Sequence, residues 1–283
     1  MACMTSSPHH ILGIDIGGSG IKGAPVDLST GALTGSRIRI PTPKKSTPKA
    51  CASVVAQIVE QFSAQIGDSP VGVTVPAPVV HGVVPMMANL DPAWVGVDAE
   101  KLFSDQLGRQ VVLVNDADAA GLAEVRYGAA QGRRGVVIVT TLGTGIGTAL
   151  INDGVLVPNT ELGHLEIAGY DAETRASAAA KAREKLSYQR WSKRLQIYYS
   201  AVEKLFWPDL FVVGGGVSAS HERFLPLLKL QTPIVPAMLL NQAGIVGAAA
   251  VVAARYPLAA AEGEATRVRA SAPSDPALWD TPR

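Results

Sequence analysis

The segment ILGIDIGGSGIKGAPVDLSTG, residues 11–31, decides the fold, because two strand-like runs flank a cluster of glycines within it. Residues 18–23 match the G-x-G-x-x-G pattern of dinucleotide-binding turns letter for letter. That pattern requires a helix after the glycines, since the helix N-terminus holds the pyrophosphate. Here Pro25 and a Ser-Thr-Gly turn follow, and residues 36–40 alternate polar and apolar side chains as a strand does. The glycines are therefore predicted to lie in a β-hairpin, and we reject a dinucleotide site.

A glycine-rich hairpin can still bind phosphate, since glycines let successive amides point into one concavity. Asp15, just before the glycines, offers hard oxygen ligands that suit Mg²⁺ through water. A tight turn beside a stray acid explains the same residues, so this segment alone leaves both interpretations open. The segment GVVIVTTLGTGIGTALINDG, residues 135–154, repeats the pattern of strand, glycines and strand. Two such hairpins predict two related α/β lobes that face a shared cleft.

The composition is typical of a globular protein with two modest domains, at 283 residues, 47% hydrophobic and 17% charged. The net charge of +1 favours neither nucleic acid nor membrane as a partner. Cys3 and Cys51 are too few for a disulfide framework, and residues 1–10 lack a signal-peptide pattern. We therefore expect a cytoplasmic protein. The polar, alanine-rich stretch 257–283 is expected to be a flexible tail.

Further elements follow from periodicity and from start and stop signals. Asp98 is predicted to cap a short helix that ends near Gly108. A small N-terminal lobe is predicted over residues 1–115, closed by a C-terminal helix over 242–256, with a large lobe over 116–241. The other predicted elements are helices over 48–66 and 117–130, a mostly helical stretch over 172–205, and strands over 71–79, 110–116 and 210–214.

Five motifs agree with this arrangement: DIGGSGIKG from residue 15, NDADAAGLAE from 115, TLGTGIGTAL from 141, ELGH from 161 and VVGGGVS from 212. Together they resemble the ROK family (repressors, open reading frames and kinases) of sugar kinases, within the hexokinase–actin superfamily. The resemblance runs from residue 11 to about residue 255. It implies a two-lobed actin-like (ribonuclease H-like) ATPase fold, with mixed sheets flanked by helices around an interdomain cleft. Within the family, the segments 154–166 and 207–218 resemble polyphosphate glucokinases and polyphosphate/ATP-glucomannokinases.

The resemblance implies phosphorylation of glucose, and also of mannose, at the 6-hydroxyl by polyphosphate or ATP with Mg²⁺. Asp116 closes the apolar run VVLV after Asn115 and is predicted to be the general base. The alternative is that these two residues only cap the next helix, although Asp118 would suit that role. Asp15 and Asp116 are predicted to hold Mg²⁺, mostly through water. The predicted sugar contacts are Asn89, Asn115, Asp116, Glu161, His164 and Glu166.

Donor contacts are predicted at the glycine turns, where Lys22 suits either a phosphate contact or an exposed hairpin position. The segment KAREKLSYQRWSKR, residues 181–194, holds six basic residues against one acid. On a continuous helix, Arg183, Arg190 and Arg194 would share a face and form a polyphosphate track, unless that face is simply solvated. The remaining predicted donor contacts are Asp15, Gly17, Gly18, Ser19, Gly20, Thr141, Gly143, Thr144, Gly145, Gly214, Gly215 and Gly216.

One departure from the family concerns zinc. Most members follow the ELGH motif with a cysteine-rich zinc segment in which the histidine is also a ligand. Residues 165–190 contain no cysteine, so we predict no zinc site, and another group must orient His164.

Three alternatives stay open: an ATP-only kinase of the same family, an exopolyphosphatase-type hydrolase, and a non-enzymatic sugar-sensing regulator. The ELGH motif argues against the hydrolase. Only ten residues precede the first predicted strand, so we expect no DNA-binding domain. The sequence leaves a homodimer open.

Overall fold

A computed structural model describes residues 10–256 of the chain. The predicted tail, residues 257–283, lies outside the described residues. The strands are β1 (His10–Gly17), β2 (Gly20–Asp27), β3 (Ile38–Ile40), β4 (Val71–Val75), β5 (Val111–Asn115), β6 (Val136–Leu142), β7 (Ile146–Asn152), β8 (Val155–Val157), β9 (Glu166–Ile167), β10 (Tyr170–Asp171), β11 (Leu210–Gly214) and β12 (Ile234–Pro236). The α-helices are α1 (Pro48–Ile66), α2 (Ala99–Leu107), α3 (Asp116–Tyr127), α4 (Ala172–Ala176), α5 (Ala178–Arg183), α6 (Tyr188–Phe206) and α7 (Ala243–Arg255).

Two five-stranded mixed sheets share one pattern of strand pairing. The first has the order β3-β2-β1-β4-β5, in which β1 and β2 form an antiparallel hairpin while β4 and β5 run parallel to β1. The second has the order β12-β11-β6-β7-β8, with β6 and β7 antiparallel and with β11 and β12 parallel to β6. Each glycine cluster therefore occupies the turn of the equivalent hairpin, as the sequence predicts, and the mixed α/β class is confirmed.

The two sheets are joined through helices α3 and α7, which pack against each other between them. Glycines allow close approach at each interface of this stack. A side chain at Gly13 or Gly72 would overlap the backbone of α7, one at Gly247 would overlap α3, and one at Gly121 would overlap β7. Helices α1 and α2 cover the other face of the first sheet, and α4 and α6 cover that of the second. Apolar cores therefore lie on both faces of each sheet.

Helix starts follow capping side chains. The Thr47 hydroxyl accepts a hydrogen bond from the Ala50 amide at the start of α1, and Asp98 caps α2 as predicted. Residues 172–205 are mostly helical, as predicted, but they are divided into α4, α5 and α6. Ser177 and Ser187 cap α5 and α6, and Lys185 between those two helices has a φ of 50°. Residues 181–194 therefore do not share one helix.

Smaller differences occur at element ends. The third strand begins at Ile38, two residues later than expected, and β4 ends before the prolines at 76 and 78. The predicted lobe boundaries at residues 115 and 241 stay a prediction, although α7 packs against β1 and β4 of the first sheet. Among residues 10–256, none of the helices combines the length and apolar character that crossing a membrane requires.

Candidate active site

A cavity of about 520 Å³ lies where strand ends from both sheets converge. Turns and loops that follow β1, β4, β5, β6 and β11 all contribute to its wall. Both glycine turns therefore face the same space, as predicted. The predicted residues that line this cavity are Gly17, Gly18, Asn89, Asn115, Asp116, Thr141, Gly143, Thr144, Gly145, Glu161, His164 and Gly215.

The other predicted contacts lie outside the cavity lining. Glu166 is exposed on β9, so its predicted sugar contact is not supported by its position. Lys22 forms an ion pair with Asp15, Nζ to Oδ2 at 3.4 Å, across the β1–β2 hairpin. Asp15 also accepts a hydrogen bond from the Thr74 hydroxyl at 2.9 Å. The remaining predicted donor residues outside the lining are Ser19, Gly20, Gly214 and Gly216.

Asp116 is the first residue of α3, directly after β5. The capping role belongs to Asn115, whose Oδ1 accepts hydrogen bonds from the amides of Ala117 at 2.8 Å and Asp118 at 3.0 Å. Burial raises the pKa of Asp116 to about 7, with further contributions from the nearby charges of Asp15, Glu161 and Asp118. A carboxyl group with this pKa on a cavity wall suits a general base near neutral pH.

Asp118 does not cap the helix, so that expectation is wrong. Its carboxyl group is buried, its Oδ2 accepts a hydrogen bond from the Asn159 amide at 2.7 Å, and burial raises its pKa to about 7. The Asn159 side chain in turn bonds both the amide and the carbonyl of Val79, at 2.8 and 2.9 Å. These contacts join α3, the loop before Glu161 and the segment after β4. This network was not predicted from the sequence.

Glu161 and His164 face the cavity through a short 3₁₀ turn, residues 162–164. The His164 Nδ1 bonds the Asp171 Oδ2 at 2.7 Å, and this bond raises the pKa of His164. Glu173 also lines the cavity and accepts a hydrogen bond from the Ile146 amide at 3.0 Å. Asp171 and Glu173 were not predicted from the sequence, although two acids in a segment without cysteines were a usable signal.

The predicted polyphosphate track does not reach this cavity. Arg194 forms two bonds to the Glu184 carboxylate, at 3.0 and 2.5 Å, and Arg183 donates to the Thr174 carbonyl at 2.8 Å. Arg190 is exposed near the start of α6. None of these three arginines lines the cavity, and the break before α6 separates Arg183 from the helix that carries the other two.

The first glycine turn is held by two side chains from the region of β3. The Arg39 Nη2 donates to the Ser19 carbonyl at 2.8 Å, and the Thr42 hydroxyl donates to the Gly17 carbonyl at 2.5 Å. Arg39 is exposed, so the guanidinium places a positive charge beside the turn. The turn therefore has both a fixed shape and a cation near it.

Comparison with known proteins agrees with this geometry. Residues 11–182 match the profile of the ROK family. The chain is 49% identical to a polyphosphate glucokinase of Mycobacterium tuberculosis over 245 residues, 86% of this chain and 91% of that protein. It is similarly 49% identical to a polyphosphate glucokinase of Mycobacterium leprae, over 87% of this chain and 75% of that protein.

Among solved structures, the inorganic polyphosphate/ATP-glucomannokinase of Arthrobacter sp. strain KM aligns with a TM-score of 0.83 and 55% identity. That alignment covers 87% of this chain and 99% of the other. A ROK family glucokinase of Streptomyces griseus shares the fold, with a TM-score of 0.72 at 24% identity. The predicted two-lobed actin-like fold is therefore confirmed, and the chain belongs to the ROK family.

Proposed function

We propose that the protein transfers a phosphoryl group from inorganic polyphosphate or ATP to the 6-hydroxyl of glucose, with mannose as a second sugar. The observation that carries this proposal is the position of Asp116 in a cavity that both glycine turns and the pair Glu161 and His164 also line. A base, a phosphate-binding wall and a hydroxyl-binding wall are the parts that phosphoryl transfer to a sugar needs. The polyphosphate glucokinases and glucomannokinase similar to this chain support the choice of substrates.

The sugar binds against Asn89, Asn115, Glu161 and His164. Carboxylate, amide and imidazole groups satisfy hydroxyls that both donate and accept hydrogen bonds. The ionised Asp116 takes the proton of the 6-hydroxyl as that oxygen forms a bond to the terminal phosphorus of the donor. The bridging oxygen–phosphorus bond breaks, and the donor leaves as ADP or as polyphosphate shortened by one phosphate.

The two glycine turns hold the phosphates of the donor. Gly17 and Gly18 on one side and Gly143, Thr144 and Gly145 on the other border the cavity without large side chains. Main-chain amides of such turns donate to phosphate oxygens, although the Gly143 amide already donates to the Gly145 carbonyl at 3.0 Å. Opposed turns of this kind align the transferred phosphorus with the sugar hydroxyl. Alignment and fixed dipoles account for most of the catalysis in such reactions, since the chemistry itself asks little of the protein.

Asp15 and Asp116 fit a Mg²⁺ site. The charge of Asp15 contributes to the raised pKa of Asp116, which is consistent with a cation shared by the two carboxylates. Asp15 pairs with Lys22 and accepts from the Thr74 hydroxyl, so its contribution to a Mg²⁺ site would run through water. Carboxylate oxygens are the ligands that Mg²⁺ prefers, usually with several waters retained. Bound with the donor, Mg²⁺ would neutralise charge on the phosphate oxygens.

The test is a direct assay of the purified protein with Mg²⁺, glucose and either polyphosphate or ATP. We expect glucose 6-phosphate with one or both donors, detected by chromatography against a standard. Release of orthophosphate from polyphosphate at an equal rate without glucose would instead identify a hydrolase. Absence of sugar phosphate with both donors would refute the proposal.

The donor preference needs a separate experiment. The notion of a basic track on α6 stays a prediction, and Arg190, which is exposed, is its best remaining member. If long polyphosphate follows that surface, Arg190→Glu raises the KM for polyphosphate and leaves the KM for ATP unchanged. If the KM for polyphosphate and the KM for ATP are both the same in the variant as in the wild type, α6 does not contact the donor.

A further inference from the structure

We infer that Asp171 is a positioning residue for sugar recognition, and that it acts by fixing the imidazole of His164 in place of a metal ion. This inference rests on the proposed function. The Asp171 Oδ2 lies 2.7 Å from the His164 Nδ1. An ionised carboxylate only accepts hydrogen bonds, so the Nδ1 carries the proton and the Nε2 is left for another partner.

The local chain geometry fixes the Asp171 carboxylate before it meets the ring. Its Oδ1 caps α4 by accepting a hydrogen bond from the Glu173 amide at 3.1 Å, which leaves Oδ2 for His164. The β9–β10 ribbon returns the chain at Ala168 and Gly169, both with positive φ, and so brings residue 171 back to residue 164. A fixed carboxylate therefore sets the plane of the imidazole.

The same segment reaches the donor side of the cavity. The Glu173 Oε2 accepts a hydrogen bond from the Ile146 amide at the start of β7, directly after the second glycine turn. Ligand atoms of His164, Asp171 and Glu173 lie within 4.8 Å of one another, an arrangement that could also hold a metal ion. In our inference the direct bond between the Asp171 carboxylate and the imidazole orients the ring without one.

The experiment measures glucose binding by calorimetry, without donor, for the wild type, Asp171→Asn and Asp171→Ala. Asparagine keeps an oxygen for the helix cap but loses the charge, and alanine loses both. The pair is exposed, with 44% of the His164 side chain and 37% of the Asp171 side chain accessible, so we expect the glucose Kd to rise about two- to fivefold in both variants. The control is Asp98→Asn, because Asp98 caps α2 in the same way outside the cavity. That variant should bind glucose as the wild type does.

A double-mutant cycle separates this role from a purely structural one. In a His164→Asn background, Asp171→Asn should leave the glucose Kd unchanged, because the group through which it acts is gone. If the fold-changes in glucose Kd of the two single variants multiply in the double variant, the inference is overturned. Loss of glucose binding by the wild type in EDTA would also overturn it, because a metal would then hold the ring.

Imidazole NMR gives a readout independent of affinity. Glu161, Asp171 and Glu173 are the charged groups that raise the pKa of His164. In Asp171→Asn the pKa of His164 should fall while the two glutamates remain, and an unchanged titration would overturn the inference. If the wild type and Asp171→Asn bind glucose equally well, the inference is refuted but the proposed function is not. A wild type that neither binds nor phosphorylates glucose refutes the proposed function as well.

Discussion

Replacing Asp116 by asparagine is the most direct test of the catalytic assignment. Asparagine has the same shape and keeps an oxygen for the Ala117 amide, which now bonds the Asp116 Oδ1 at 2.8 Å. It accepts no proton, so the 6-hydroxyl loses its base. We expect kcat to fall about a hundredfold to ten-thousandfold, the range that general bases contribute.

The same assignment also predicts how kcat/KM depends on pH. Burial and the neighbouring acids raise the pKa of Asp116 to about 7. Roughly a tenth of the protein then holds the ionised base at pH 6, and kcat/KM should fall about tenfold for each pH unit below 7. Saturating Mg²⁺ and donor should move this limb to lower pH, because a cation favours the ionised carboxylate. The asparagine variant should lack the limb.

The assay couples glucose 6-phosphate to NADP⁺ reduction, with polyphosphate and with ATP, from pH 5.5 to pH 8.5. The control is Asp105→Asn, since Asp105 is an exposed aspartate on α2 that pairs with Lys101. Circular dichroism establishes that each variant is folded. An asparagine variant with more than about a tenth of the wild-type kcat, or with an unchanged acid limb, would refute the assignment.

Three further predictions concern the surroundings of the site. Asp118→Asn should stabilise the protein by up to about 4 kcal/mol at pH 8 and by little at pH 4. The reason is that burial raises the pKa of Asp118 to about 7, so the wild type loses stability as the pH rises from about 4 to about 7. Urea unfolding that gives the same difference in unfolding free energy between variant and wild type at both pH values would contradict this. Gly163→Ala places a methyl group against the Ile146 carbonyl, so we expect a glucose KM raised several-fold and a lower melting temperature, and unchanged values would contradict the packing. Arg39→Ala removes the bond to the Ser19 carbonyl, so the KM for both donors should rise about five- to tenfold while the glucose KM stays constant. A change in the glucose KM alone would contradict a role of Arg39 in donor binding.

Much of the fold around the site was predictable, because residues close together in sequence determine it. Apolar alternation around each glycine cluster predicts the hairpins β1–β2 and β6–β7, and the capping residue Asp98 marks the start of α2. The strand-end position of Asp116 also follows from the run before it. These features depend on neighbours in sequence, so one sequence suffices to predict them.

The parts that sequence reasoning missed depend on contacts between separated segments. Arg190 and Arg194 lie on a helix that starts after the positive φ of Lys185; the capping residue Ser187 marks that start but not the direction that the new helix takes. The bond between His164 and Asp171 requires the return of the β9–β10 ribbon. The buried position of Asp118 depends on Asn159, which is 41 residues away in sequence. Tertiary geometry, and not local propensity, decides these contacts.

The first sheet cannot complete its core on the ribosome until nearly the whole chain has been synthesised. Its β1 strand is among the earliest described residues to emerge, whereas α7, which covers Ile11 and Val26 on that sheet, comes last. A nascent chain therefore exposes an apolar sheet face throughout translation of the second half. Premature termination before residue 243 would remove the helix that covers β1 and β2 on that face, so truncated products should aggregate or be degraded.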